Sequence, residues 1–292
     1  MIKQRVCLIG LFVFLFIFVV YSGDTTYLNS SYSFCAYYDD IQNPGFKFSL
    51  SGNKLYLEIP ELDEGKNESG IYIKKVIRET YYIKDDGAFR YIITPSSKYM
   101  VFTNGKEVCI LLNCNTGESF WGVLSDSQYV RIGSSPKSTF IGIRGGMTDY
   151  QKNSSCLVET IKGKTTKYDG LSNYYYDLLV PWVEGRPDYG VGEWLQKTIV
   201  YRTTKVIFIN GFIDRNHPDL YWANSRVKRI RIQCDSGSWS YDILDTPDVQ
   251  ILNLPTAVSG NIRFIIEDVY KGTKYSDTSI AAIYFLEEAP LK

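Results

Sequence analysis

The chain has 292 residues, 45% apolar and 22% charged, which is enough to bury a core and excludes wholesale disorder. Lys plus Arg and Asp plus Glu both total 32, so the chain lacks the basic excess that general nucleic-acid binding needs. A single His excludes His-rich metal sites, while 24 Tyr, 15 Phe and 5 Trp suit β-structure and surfaces that bind sugars or flat ligands.

Met1 to Arg5 is a short basic start, Val6 to Val20 is apolar apart from Gly10, and Tyr21-Ser22-Gly23 returns to polar sequence. This order predicts a secretory signal over residues 1–23, cleaved after Ser22, and a protein that is secreted or held in the cell envelope. An uncleaved membrane anchor is the alternative, although Cys7 to Ser22 falls short of the roughly 20 residues of a typical span. No other stretch is apolar enough to cross a membrane. Loss of the leader removes Lys3 and Arg5, leaving 30 basic and 32 acidic residues, a net charge of −2. Export permits disulfides: Cys35, Cys109, Cys114 and Cys156 could form up to two bridges, and Cys234 is expected as a half-buried lone thiol. Their spacing fits no metal site.

Residues 24–150 read as a β-rich domain of unassigned role. The predicted strands are Phe46–Ser51, Leu55–Ile59, Ile71–Ile77, Tyr81–Lys84, Phe89–Thr94, Tyr99–Thr103, Glu107–Leu112 and Glu118–Val123. Turns fall at Asp85-Asp86-Gly87, Asn104-Gly105 and Asn115-Thr116-Gly117, and Asn-Gly between two such runs is a strong hairpin signal. The expected architecture is an antiparallel meander of about eight strands, closed as a barrel or packed as a sandwich. Gly133-Ser-Ser-Pro, Gly145-Gly146 and Gln151-Lys-Asn-Ser-Ser are turn-rich and place the domain boundary in 145–165, with a linker at 151–160.

The second half, 161–287, has its own strand pattern. Lys205 to Asn210 ends in a turn at Gly211. Val227-Lys-Arg-Ile-Arg-Ile-Gln-Cys234 alternates apolar and charged residues as a half-exposed strand does. Gln250–Leu254, Asn261–Val269 and Ile280–Phe285 continue the series. Helix signals are nearly absent, apart from a short turn near Tyr174–Leu179, so the chain is all-β.

Five segments occur in order here: Trp182-Val-Glu-Gly185, Gly190-Val-Gly-Glu-Trp-Leu195, Ile209-Asn-Gly211, Asn224-Ser-Arg-Val-Lys-Arg-Ile-Arg-Ile232 and Tyr275-Ser-Asp-Thr-Ser-Ile280. Together they resemble the discoidin-like family related to coagulation-factor type C domains, in the branch found as the translocation, or glycan-binding, domain of bacterial NAD glycohydrolases. The resemblance covers about residues 160–287. It implies an eight-stranded jelly-roll sandwich with variable loops at one end, and a binding role. Related domains can hold calcium in the loop before the Trp. Here that loop is Asp177-Leu-Leu-Val-Pro-Trp182, without the Gly that usually follows the Asp, and its apolar residues argue against a Ca2+ site near Asp177. No other cofactor is implied. Nothing in residues 24–150 resembles the glycohydrolase's enzymatic domain.

The candidate ligand-binding residues are Trp182, Glu184, Tyr189, Asn216, Tyr221, Trp222 and Asp277. Trp182 and Glu184 fit a sugar platform, the indole under a pyranose and the carboxylate on its hydroxyls; the competing expectation is that Trp182 plugs the sandwich end. Asp214-Arg-Asn-His-Pro-Asp-Leu-Tyr-Trp222 is a polar insertion with an aromatic end, and His217 in it is expected at the surface rather than in catalysis. Asp277 either fixes the Trp182 loop or meets ligand. The basic strip Arg226, Lys228, Arg229, Arg231 splits across two strand faces and reads as solvated, with binding of anionic sugar or phospholipid as the alternative. With no nucleophile elbow, phosphate loop or zinc motif, no catalytic residue is expected. The leading expectation is an exported non-catalytic protein that binds glycan through its second half. The alternatives are an envelope protein that docks another protein, and an unrecognised hydrolase with its chemistry in the first half.

Overall fold

The computed structural model describes residues 31–34, 47–51, 54–63, 72–95, 97–104, 108–117, 119–124, 140–144, 147–170 and 178–288. The leader, Cys35 and Asp177 lie outside the described residues.

The first half is a closed antiparallel barrel. Its strands are β1 (Ser31–Phe34), β2 (Lys47–Ser51), β3 (Lys54–Asp63), β4 (Tyr72–Asp86), β5 (Phe89–Ile93), β6 (Lys98–Thr103), β7 (Val108–Asn113) and β8 (Ser119–Leu124). Each pairs with the next, and Tyr32 opposite Leu124 joins β1 to β8, so no edge is left open. The predicted strands Ile71–Ile77 and Tyr81–Lys84 are one strand, β4. Arg78, Glu79 and Thr80 between them pair with Glu58, Leu57 and Tyr56 of β3, because polar side chains do not interrupt a backbone ladder that has a partner. The predicted turns lie between strands. At Asp86-Gly87 the glycine takes φ 61°, a conformation that favours glycine. In the β6–β7 hairpin, the Thr103 hydroxyl donates to the Val108 carbonyl at 2.7 Å, and the Val108 N–H donates to Asn104 Oδ1 at 3.1 Å.

The second half is built on an eight-stranded sheet that bends around its own core. The members are β9 (Phe140–Arg144), β10 (Met147–Asn153), β13 (Trp182–Val183), β14 (Trp194–Asn210), β15 (Ser225–Cys234), β16 (Gly237–Asp242), β17 (Gln250–Tyr270) and β18 (Thr278–Glu288). A separate hairpin, β11 (Val158–Ile161) with β12 (Lys164–Lys167), precedes β13. The stretch read as linker, 151–160, thus carries the end of β10 and most of β11. Strand β14 changes partner along its length. Residues 195–198 pair with β10, and 205–210 pair with β18. The register shifts around Thr203 between them, where the buried threonine hydroxyl bonds the Lys205 and Leu286 carbonyls at 2.9 and 2.6 Å. A bulge that bends one strand lets it serve two layers. Val206, Phe208, Ile230, Ile232, Phe264, Ile283, Phe285 and Trp182 fill the core between the layers.

The barrel and the sandwich share one apolar cluster. Phe89, Tyr91, Met100, Phe102, Val108, Ile110 and Leu112 of the barrel pack with Ile207, Ile209, Tyr221, Ala282, Tyr284 and Leu286 of the sandwich. The Phe89 and Tyr221 rings meet edge-on with centroids 5.7 Å apart. Ile92, Tyr99, Val101 and Leu111 point the other way and are buried as well. The reason lies in the sequence of these strands. Tyr99-Met-Val-Phe and Ile110-Leu-Leu do not alternate with polar residues, so both faces must leave water. Polar contacts flank the joint: Arg90 pairs with Asp248, and Arg215 Nη1 donates to the Cys114 carbonyl at 3.1 Å. Asp248→Ala is expected to cost about 1–2 kcal/mol in chemical denaturation. No loss would mean that the apolar cluster alone holds the two halves together.

Candidate binding surface

Three loops meet at one end of the sandwich: 184–193 after β13, 211–224 after β14, and 271–277 between β17 and β18. The second contains the only helical turn among the described residues, Leu220–Ala223. Gly211 begins it with φ 79°, and a Cβ there would lie 2.5 Å from the Tyr221 ring, so the sequence reading of Asn210-Gly211 as a tight turn has a packing reason too.

Ser225, fully buried, gathers the last two loops. Its N–H donates to the Asp277 carbonyl at 3.0 Å, its hydroxyl donates to the Tyr275 carbonyl at 3.2 Å, and the Gly272 N–H donates to that hydroxyl at 3.0 Å. The backbone N–H groups of Thr273 and Tyr275 donate to the Trp222 and Ala223 carbonyls at 3.0 and 2.8 Å. Gly272 is held closely enough that a Cβ would lie 2.4 Å from the Ala223 carbonyl oxygen.

Thr278 ties in the first loop. Its N–H donates to Glu184 Oε1 at 3.1 Å, and its hydroxyl donates to the Tyr189 carbonyl at 2.8 Å. Glu184 Oε2 accepts the Arg186 N–H at 2.8 Å. Burial raises the Glu184 pKa above the ordinary carboxylate value, the two backbone N–H groups oppose this, and the nearby Asp277 and Asp188 carboxylates add to it. Glu184 is therefore a buried brace between loops, and its oxygens are occupied by backbone.

The sequence candidates separate accordingly. Trp182 is fully buried, with its indole N–H donating to the Ser155 carbonyl at 2.9 Å, so its ring offers no face to a sugar. Tyr221 is also fully buried, in the joint with the barrel. Its phenol pKa is raised, first by burial and then by the Asp245 carboxylate. Asn216 is exposed, with its N–H donating to Asp214 Oδ1 at 2.7 Å, and sits beside Arg215, which reaches the barrel. Tyr189 and Asp277 are half-buried, and Trp222 is 40% exposed. Sequence reasoning missed three residues of this surface: Lys271, Lys274 and Tyr275. Tyr275 is 37% exposed. The signal available was an aromatic ring inside the polar run Lys271-Gly-Thr-Lys-Tyr-Ser-Asp277, where a β-sheet has no use for it.

The loop 271–275 thus carries the exposed Tyr275 ring and touches the half-buried Tyr189 ring and the backbone of Trp222. Lys271 Nζ lies 4.6 Å from the centre of the Tyr189 ring, Lys274 Nζ lies 4.8 Å from that of Tyr275, and the backbone bonds to Trp222 and Ala223 fix the third side. Trp222 itself is held by Arg226, whose guanidinium lies 4.9 Å from the indole centre.

Lys228, Arg229 and Arg231 of the basic strip behave as a solvated face, whereas Arg226 is buried. Lys228 pairs with Asp268 at 2.6 Å, Arg229 with Asp242 and Glu267, and Arg231 with Glu267. His217 is exposed beside Asp214. Cys114, Cys156 and Cys234 are free thiols, and burial raises the pKa of the first two. Among the described residues no three His, Cys, Asp or Glu side chains cluster as metal ligands, and no helix is long and apolar enough to cross a membrane.

Loops of variable sequence at one end of an eight-stranded sandwich are what the resemblance implied. Residues 144–286 match the NAD glycohydrolase translocation F5/8 type C domain family. The second half is thus the discoidin-like domain expected from its ordered motifs. The match begins earlier than the resemblance did and takes in β10, which pairs with the start of β14. It ends at Leu286, within β18. No curated protein matches the chain. The loops that carry Tyr189, Trp222 and Tyr275 all belong to the F5/8 type C domain, and so do the braces Glu184, Ser225 and Thr278.

Proposed function

We propose that this is an exported, non-catalytic binding protein that recognises carbohydrate through the loop end of its F5/8 type C domain. The observation that carries the reading is the grouping of the exposed Trp222 and Tyr275 with the half-buried Tyr189, on two loops bonded backbone to backbone and a third tied to them through Thr278. Aromatic faces stack on the apolar side of a pyranose, and rigid loops lower the ordering cost of binding. The polar groups beside them, Asp219, Asp277 and the two lysines, suit sugar hydroxyls. The basic and apolar leader at residues 1–23, and the word translocation in the family's description, support export.

A glycan array probed with the mature chain tests this. Retention on a subset of glycans is expected, weakened roughly tenfold or more by Trp222→Ala, as for truncation of a central aromatic anchor. Tyr241→Phe, on β16 away from these loops, is expected to leave retention unchanged. Absence of retention on every glycan, or retention indifferent to Trp222→Ala, would overturn the reading.

A further inference from the structure

We infer that the loop-end site selects acidic sugars, those bearing a carboxylate or sulfate, over their neutral counterparts. The inference rests on the carbohydrate reading above and names the ligand class of the same site. Its basis is the placement of two cations among the accessible rings. Lys271 lies over Tyr189 and Lys274 over Tyr275, on the loop whose N–H groups are bonded to Trp222 and Ala223. Among the described residues neither ammonium makes an ion pair within 4 Å, whereas Lys228, Arg229 and Arg231 of the same domain all do.

The carboxylates near them are largely committed elsewhere. Both Glu184 oxygens accept backbone N–H groups, and Asp188 accepts the Gly190 N–H at 2.8 Å and pairs with Arg186 at 3.5 Å. Lys274 is influenced chiefly by the Tyr275 hydroxyl and less by Asp219, which forms no bridge to it, and the Asp277 carboxylate acts on Glu184. Trp222 offers a pyranose an exposed ring to stack on, and the ammoniums beside it, seated against Tyr189 and Tyr275, offer its acidic substituent charge-assisted donors. A neutral sugar leaves the ammoniums in water and gains nothing from them. A plain polyanion gains charge pairing but cannot use the rings, so the combination discriminates in both directions.

The test uses the mature chain on an array of matched pairs: sialylated and desialylated lactose, and polygalacturonate and its full methyl ester. Polyglutamate and phosphatidylserine vesicles serve as non-sugar anions. The acidic member of at least one pair is expected to be retained more strongly than its neutral partner. Lys271→Gln with Lys274→Gln should weaken that retention roughly tenfold, the effect of losing charge-assisted hydrogen bonds, while retention of any neutral glycan stays unchanged. Equal retention within every pair, or unchanged retention by the double variant, overturns the acidic-sugar inference and leaves the carbohydrate reading standing. Stronger retention on polyglutamate or vesicles than on any glycan overturns both, as does no retention at all.

Discussion

Raising the pH from 7 to 8.5 is expected to stabilise this protein by about 2 kcal/mol, and Lys197→Met to abolish that dependence. Lys197 lies on β14, only 1% exposed, with its ammonium 5.4 Å from the centre of the Tyr284 ring. Desolvation by burial lowers its pKa from 10.5 to about 7. Between these two values the unfolded chain holds a proton that the folded chain has released. Unfolding therefore takes up a proton, and stability rises with pH through that window and is flat below it. The whole shift corresponds to about 5 kcal/mol, of which roughly 4 still opposes folding at pH 7. Methionine has a similar length and no charge to desolvate, so the variant should be more stable at pH 7 by up to that amount. The window is kept below pH 9 because the raised pKa values of Cys114, Cys156 and Tyr91 act with the opposite sign at higher pH. Urea denaturation of both proteins at pH 7, 7.75 and 8.5 measures the effect. Parallel profiles for wild type and variant would show that Lys197 is not the group responsible.

Lys197 also shows where sequence reading stops. On the strand Trp194-Leu-Gln-Lys-Thr-Ile199 a lysine between Gln196 and Thr198 reads as one more polar position, and only the bend of β14 from β10 to β18 shows that its position is enclosed. The barrel was legible because its evidence is local: Asn104-Gly105 and Asp86-Gly87 are hairpin chemistry that few other conformations accept. The discoidin-like half was legible from ordered motifs. The joint between them was not, although its cause was visible in Tyr99-Met-Val-Phe, Val206-Ile-Phe-Ile and Ile280 to Leu286. These runs are apolar at every position, which a sheet with one solvated face does not need. For the site, residue type pointed in the right direction and burial decided the outcome. Trp182 and Tyr221 are as aromatic as Trp222, but the first fills the sandwich core and the second fills the joint with the barrel. One position along the helical turn from Tyr221, Trp222 is turned outward. A short polar loop such as 214–222 carries no periodicity from which that choice could be read.

Arg226→Ala is expected to destabilise the protein by about 3–5 kcal/mol, the range for removing one partner from a buried ion pair. The sequence set Arg226 in a basic strip with Lys228, Arg229 and Arg231, but it is the buried member. Its guanidinium holds Asp245 through two bonds, Nε to Oδ1 at 2.7 Å and Nη2 to Oδ2 at 3.0 Å. Its remaining nitrogen, Nη1, donates to the Tyr221, Trp222 and Asn224 carbonyls at 3.3, 3.4 and 2.7 Å. It also stacks near both rings, with centroids 5.3 Å from Tyr221 and 4.9 Å from Trp222. Alanine leaves three carbonyls at a loop end without this donor and removes the stem that packs under the rings. Asp245, 30% exposed, can recover some hydration, which keeps the loss from being larger. Lysine tests the geometry separately from the charge. It keeps the cation, cannot hold Asp245 through two parallel bonds, and reaches fewer carbonyls, so Arg226→Lys should recover less than half of the loss. Because Arg226 touches the exposed indole only from below, its second readout is Trp222. Near-ultraviolet circular dichroism should lose the Trp222 contribution to the tryptophan signal in the alanine variant, and glycan retention should fall along with it. Alanine and lysine variants of equal, near wild-type stability would show that the loop end is held without the guanidinium.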